Sequence, residues 1–494
     1  MQYISTRSGN KGVSGAAAII SGLAPDGGLF MPEILPHLAP EEILALCHAD
    51  YPGRAAWAIG GFLQDYSQGE LADYCQKAYG PDRFTAPGTA PVVKISDSAY
   101  ILELFHGPTC AFKDFALQLL PYLLTAALAK QGVAKTVIIL VATSGDTGKA
   151  ALEGFADVAG TKICVFYPEG GTSAMQRLQM TTQKGGNVRV AAVKGNFDDA
   201  QNGVKAIFTD QPYGQRLAER GYLLSSANSI NWGRLAPQVA YYLSAYCDLL
   251  NQGRIRPGER INICVPTGNF GNILAAYFAK SCGLPVHRLI CASNKNRVLT
   301  DFITTGVYDR NRDFYLTSSP SMDILISSNL ERLLYLLAER DAGKIRGFMG
   351  QLRETGRYDL DSAMLAKLQA EFAAGSADEA ETFATIRRLF QDSGYLCDTH
   401  TAVAVKVYQD YLAASGDTTP TVIAATASPF KFCGSVLPAL GQQPEGDDFS
   451  QLNQLAALSG LLPPSRLLAL KDQAERFTQA IGADAMAAEV DQLL

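Results

Sequence analysis

Much that would point to a familiar chemistry is missing from this sequence. Its ten cysteines, Cys47, Cys75, Cys110, Cys164, Cys247, Cys264, Cys282, Cys291, Cys397 and Cys433, contain no C-x-x-C pair. A zinc site or redox dithiol is therefore disfavoured and no metal is expected. Several of these cysteines sit in apolar runs, where a free thiol behaves as a small buried hydrophobe; a reducing compartment follows. There is no G-x-x-x-x-G-K-[ST] and no G-x-G-x-x-G, which disfavours an ATP-type phosphate loop and a dinucleotide site. Basic charge is not in excess: the formal net charge is -6, whereas a nucleic-acid platform needs a basic face. No apolar run is long enough to span a bilayer; the most apolar, Leu117 to Ala129, is short and contains Pro121. The stretch Met1 to Lys11 is polar and has no apolar signal core, so no membrane and a cytoplasmic location are the expectations. No internal repeat or low-complexity tract is present.

What is there describes a folded chain of more than one domain. Apolar residues make up 47% and charged residues 18%, a soluble globular balance rather than a disordered one. At 494 residues the chain exceeds a single core, so two or three domains are expected. Residues 1–90 have their own character: a turn cluster Pro25-Asp26-Gly27-Gly28, helix-like stretches Pro40 to His48 and Gly69 to Ala78, then a linker-like Phe84 to Pro91. They read as an N-terminal domain. Beyond them, short β-branched runs alternate with helical patterns: Val137 to Val141, Ile163 to Phe166, Val188 to Val193, Ile261 to Val265, Arg288 to Cys291 and Thr421 to Ala424. Such runs suit parallel strands covered on both faces. The fold class is α/β, with two open lobes and a site between them. Residues 91–330 would hold the catalytic core. Residues 331–390, rich in Leu, Arg, Glu and Ala, read as a helical insertion, and 391–494 as completion of the core plus C-terminal helices.

Two glycine-bearing loops each follow a strand and precede a helical pattern. One is Thr143-Ser144-Gly145-Asp146-Thr147-Gly148; the other is Pro266-Thr267-Gly268-Asn269-Phe270-Gly271-Asn272. A strand feeding such a turn into a helix offers free backbone N–H groups and the positive end of the helix dipole to an anion. Either loop alone is as readily an ordinary strand-to-helix turn. Two in one chain, each with extra hydroxyl or amide donors, point to two phosphates. A third segment, His106 to Phe115, places Lys113 at the start of an apolar helix, Phe115 to Leu128, between Phe112 and Phe115. The helix dipole and the aromatic neighbours both favour a neutral, nucleophilic amine. On local grounds alone a surface lysine snorkelling past two phenylalanines is the stronger reading, since most lysines are solvated; the company of the two loops favours the other.

Taken together, these segments resemble the threonine synthase family, pyridoxal-phosphate enzymes of fold type II (tryptophan synthase β-like), and the longer microbial and fungal branch in particular. The resemblance runs from Tyr3-Ile4-Ser5-Thr6-Arg7 through Leu23 to Leu29 and on to Ser428-Pro429-Phe430-Lys431-Phe432. Its most specific parts are His106 to Asp114, Ser144 to Gly148, Gly195 to Asp199, Asn228 to Arg234 and Gly268 to Asn272. It implies a lyase of threonine biosynthesis that converts O-phosphohomoserine and water to threonine and phosphate. The implied cofactor is pyridoxal 5'-phosphate, carried by the catalytic Lys113, with its phosphate at Gly268, Asn269, Phe270, Gly271 and Asn272. Thr426 would face its pyridine nitrogen. Ser144, Gly145, Asp146 and Thr147 would meet the substrate. Asn228, Ser229 and Arg234 would take the substrate phosphate, Arg234 as the charged anchor. A small-molecule substrate, no nucleic acid, and a monomer or small homo-oligomer are also implied. Cys397-Asp398-Thr399-His400-Thr401-Ala402 stands where the family often has Asp-Pro-His-Thr-Ala. His400 is there either a structural histidine in a turn or a substrate contact.

Overall fold

The computed structural model describes residues 1–9 and 12–494, with the Asp198 side chain set apart. The end of the polar stretch Met1 to Lys11, and that one side chain of the Gly195 to Asp199 motif, thus lie outside the described residues.

In chain order the strands are β1 Gln2–Ser5, β2 Val13–Ser14, β3 Phe30–Pro32, β4 Val92–Lys94, β5 Ala99–Glu103, β6 Thr136–Ala142, β7 Thr161–Pro168, β8 Val188–Val193, β9 Tyr222–Ser226, β10 Ile261–Pro266, β11 Val286–Ser293, β12 Val307–Asp309, β13 Arg357–Asp359, β14 Phe372–Ser376, β15 Thr421–Ala425 and β16 Ala480–Ile481. They build two open sheets. One is ordered β14-β11-β10-β15-β5-β4, parallel except for β4. The other is ordered β16-β8-β7-β6-β9 and is parallel throughout. A three-stranded sheet β2-β1-β3 and a ribbon β12-β13 complete the set. The six β-branched runs singled out above all form strands. In β6 and β10 nearly every residue is buried, as helices on both faces of a parallel sheet require.

The N-terminal elements share the core of the lobes. Trp232, fully buried in the helix Trp232–Asn251, packs against Tyr3, Phe62 and Phe278 with ring centroids 5.3, 5.7 and 5.4 Å away. Each such pair adds about 0.5–1.5 kcal/mol beyond the apolar area it buries. Arg54 also crosses this boundary, donating to Ser244 Oγ at 2.9 Å and Asp248 Oδ1 at 2.6 Å. All ten cysteines are buried and unpaired.

Two expectations need correction. Residues 331–390 are not helical throughout. Helices Leu330–Leu337, Ala342–Glu354, Ser362–Glu371 and Glu379–Ser393 are present, but β13 and β14 interrupt them. β14 pairs in parallel with β11, from Leu289↔Phe372 to Ser293↔Ser376, and forms the edge of the large sheet. The segment therefore contributes to the core. The single helix Phe115 to Leu128 is instead two, Asp114–Leu117 and Leu120–Lys130, with Pro121 in the first turn of the second. Proline has no N–H to donate and its ring crowds the preceding turn, so it starts a helix where it cannot continue one. Among the described residues no helix is long and apolar enough to cross a membrane.

Candidate functional site

The site lies where the parallel strands of both sheets end. β5 leads into the loop that carries Lys113, β10 into Gly268–Asn272, and β15 into Thr426. On the other sheet β6 leads into Ser144–Thr147 and β9 into Asn228–Arg234. In open α/β sheets, binding residues gather at these carboxyl ends.

The Lys113 loop is held on two sides. Asp114 accepts from the Thr109 backbone N–H at 2.8 Å and from the Thr109 hydroxyl at 2.8 Å. A β-carbon on Gly107 would lie 2.5 Å from the Asp114 carboxylate, so only glycine fits. On the other side the Phe112 N–H donates to Thr426 O at 2.8 Å, Ser428 N–H donates to Cys110 O at 3.1 Å, and Ala111 bridges Ala427. The segment after β15 is thereby fastened beside the lysine.

Lys113 Nζ donates to Ser321 Oγ at 3.2 Å and to Asp146 Oδ2 at 3.3 Å. The Phe112 ring centroid is 5.3 Å from Nζ. Burial lowers the affinity of this amine for a proton, Lys431 and Arg234 lower it further, and Asp146 opposes them; the net direction is down. Asp146 itself would be raised by burial, but Lys431 and Lys113 outweigh that and hold the carboxylate well below its usual range. Its Oδ1 accepts from Lys431 Nζ at 2.7 Å and Gln176 Nε2 at 2.8 Å.

Both glycine loops are shaped by close approach. At Gly145, with φ +138, a β-carbon would meet the Gln176 side chain at 2.5 Å. The Gly145 and Gly148 N–H groups both donate to Thr143 Oγ1. At Gly268 a β-carbon would lie 2.4 Å from Ser321 O. Phe270 sits at φ +64 and opens the helix Gly271–Ser281. Gly268 O accepts from Ser327 Oγ, and Asn269 O from Asn329 Nδ2. The Tyr241 and Tyr242 hydroxyls both donate to Asn272 Oδ1, leaving Asn272 Nδ2 buried with no partner.

Arg234 is 3% exposed, yet no carboxylate lies within ion-pair distance of it among the described residues. One nitrogen donates to Ala227 O, while Nε is buried and unpartnered. Burial pushes its guanidinium down to about 10. An unpaired buried cation is costly, and an incoming anion relieves that cost. Ser229 Oγ lies 3.4 Å from Ser328 Oγ, which in turn donates to Asn269; the Asn228–Arg234 segment thus adjoins the Gly268 loop.

Several residues at the site carried no role in the sequence reading. Ser321 follows no motif; only the fold brings it to Lys113. Lys431 lies in the Ser428 to Phe432 run, and a lysine between Phe430 and Phe432 was a signal that it is buried. Gln176 and the tyrosine pair behind Asn272 gave none. His400 is buried: its Nδ1 lies 2.7 Å from Asp398 Oδ2, and its Nε2 accepts from the Ser321 N–H at 3.3 Å. It supports the serine that Lys113 touches.

Three family models match the chain: "Threonine synthase N terminus" over residues 2–79, "Pyridoxal-phosphate dependent enzyme" over 85–427 and "Threonine synthase, C-terminal" over 401–490. The chain is 41% identical to the human protein "Threonine synthase-like 1", over 97% of its own length and 65% of that protein's. It is 37% identical to the threonine synthase of Pseudomonas aeruginosa, over 90% of its own length and 92% of that one's. A crystal structure of PLP-bound threonine synthase from Brucella melitensis superposes with a TM-score of 0.88 at 37% identity, covering 100% of this chain and 99% of that one. The chain spans 61–65% of the length of the threonine synthase-like 1 relatives it matches.

Proposed function

We propose a role for each residue of the site from one premise: this chain belongs to the threonine synthase family of pyridoxal-phosphate-dependent enzymes. In this reading the protein converts O-phosphohomoserine and water to threonine and phosphate. The observation that carries it is Arg234, a buried guanidinium without a carboxylate partner among the described residues, beside the segment Asn228–Ser229 and close enough to Lys113 to lower its basicity. A site built for an uncharged leaving group has no use for such a cation.

The residues present fit pyridoxal phosphate. The amine of Lys113 is biased toward its neutral form. The N–H groups that open the helix Gly271–Ser281, with the unpartnered Asn272 Nδ2, form a donor set that matches a phosphate. Lys113 would hold the cofactor covalently, Gly268 to Asn272 its phosphate, and Thr426 its pyridine nitrogen. When bound, the cofactor's ring draws electrons from the substrate's α-carbon and so acidifies its neighbours.

The chain's own groups do the rest. Once the substrate's amine had replaced it on the cofactor, Lys113 Nζ would take the proton from Cα, and a second proton would leave Cβ with the phosphate that departs from Cγ. Arg234, Asn228 and Ser229 hold the departing phosphate and favour its charge. Ser144 and Thr147 offer hydroxyls to the substrate at the opening of the helix Asp146–Phe155. Lys113 then returns its proton to Cγ, and water adds its hydroxyl at Cβ and its proton at Cα, which completes threonine. Thr426 would offer the pyridine nitrogen a hydroxyl and no charge.

The test is product analysis with the full chain, pyridoxal phosphate and O-phosphohomoserine. Equal amounts of threonine and phosphate are expected. Arg234→Gln should lower kcat/KM by about 1.5–3 kcal/mol, the worth of a charge-assisted hydrogen bond. Phosphate released with ammonia and a keto acid, or ammonia released from threonine with no turnover of the phosphate ester, would refute the reading.

A further inference from the structure

A buried lysine and a largely buried one flank a single carboxylate. Lys431 Nζ, with none of its side chain exposed, donates to Asp146 Oδ1 at 2.7 Å and to Thr109 O at 2.9 Å. Lys113 Nζ meets Asp146 Oδ2 at the longer 3.3 Å. Among the described residues Asp146 is the only carboxylate within ion-pair distance of either amine. Gln176 donates to the same oxygen as Lys431, so the carboxylate is fixed with its other oxygen toward Lys113. One carboxylate balances one ammonium. The lysine better placed to be that ammonium is the one with the shorter contact and no access to water.

We propose that Lys431 is a positioning residue which acts as the standing counter-ion of Asp146 and so releases Lys113 from that duty. The cluster Lys431–Asp146 is then neutral as a unit. Lys113 keeps a hydrogen-bond acceptor that orients Nζ, without a net anion that would hold a proton on it. The charged groups facing Lys113 are few. Asp146 comes from the loop after β6, Lys431 from the turn after β15, and Arg234 from the helix Trp232–Asn251. Behind Ser321 stands His400, from the helix Thr399–Ser415. With Lys431 removed, Asp146 would have Lys113 as its only cation in reach, and the two would lock as an ion pair. The inference rests on the reading that Lys113 carries the cofactor.

The test follows uptake of pyridoxal phosphate by the full-length apoprotein across pH, read by the visible band of the lysine-bound cofactor. Uptake joins Nζ to the aldehyde carbon and expels one water, and it needs the unprotonated amine. Lys431→Met should move the pH midpoint of the uptake rate upward by about one unit or more, the effect of an uncompensated opposite charge. Asp146→Asn should move it downward, because the Lys431 cation then faces Lys113 without its partner. The double variant, which removes both charges, should return near the wild-type midpoint, and Lys431→Arg should stay there. A merely structural lysine would leave the midpoint unmoved and the double variant no better than the single. Should Lys431→Met fail to fold by circular dichroism, Asp146→Asn and the double variant decide between the same outcomes. Unmoved midpoints, in a protein whose band is lost in Lys113→Ala, overturn this inference alone. A wild-type chain that forms no band at all overturns the assignment of Lys113 as well.

Discussion

The loop around Lys113 and the loop after β6 each bury a carboxylate at the first residue of a helix, Asp114 and Asp146, and the acidities of the two are shifted in opposite directions. Asp146, between Lys431 and Lys113, is held well below the usual carboxylate range. Asp114 has only the Thr109 N–H and hydroxyl as close donors, and burial pushes it up to about 6. Position at a helix N-terminus favours the anion in both cases by the same modest amount. The difference therefore lies in the cations. A buried carboxylate becomes the stronger acid where an ammonium lies within ion-pair distance, and two neutral donors do not match that effect.

Breaking the pair should have the largest effect. Lys431→Met leaves Asp146 short of its main cation and should destabilise the fold by about 3–5 kcal/mol, measured by urea unfolding at pH 7. Next comes the pH response of Asp114. Its folded value lies above the ordinary 3.8, so the native state takes up a proton that the unfolded chain releases. That contribution is fully present below about pH 4 and is lost as pH rises through about 6, roughly 3 kcal/mol in all. Asp114→Asn should abolish this slope in a pH series of unfolding curves, and an unchanged slope would mean that the carboxyl titrates alike in the folded and unfolded chain. Thr109→Val removes the hydroxyl donor and should cost about 1–2 kcal/mol, with the Asp114 midpoint moving further up. The smallest effect is expected outside the comparison. Ser144→Ala should raise the KM for O-phosphohomoserine by about 1 kcal/mol in binding, roughly five-fold, with kcat nearly unchanged.

The sequence announced the strands that are covered on both faces. β6, β7 and β10 are continuous apolar runs, and burial leaves such runs little alternative. It did not announce β14. Phe372-Ala373-Ala374-Gly375-Ser376 has no β-branched residue, follows directly on the helix Ser362–Glu371, and becomes a strand only because the edge of β11 is open to it. The site divides in the same way. Gly145 and Gly268 are visible because backbone turns dictate residue type locally. Ser321 and Lys431 reach Lys113 across 208 residues and, through Asp146, from the far end of the core. Such contacts belong to tertiary packing, which no local pattern encodes. The break at Pro121 was legible in principle, since a proline inside an apolar helical run marks an interruption.

β15 lies between β10 and β5 in the middle of the large sheet, although its residues, 421–425, come late in the chain. A nascent chain emerging from the ribosome therefore exposes two strand edges, on β5 and on β10, until residues past 420 have been made. During that interval the apolar faces of the half-built sheet invite mispairing or a chaperone. The same insertion brings Thr426 against Phe112, so the lysine loop acquires its final shape among the last events of folding. Translation that stalls before this strand should leave the cofactor pocket unformed and the second sheet still without its edge strand β16.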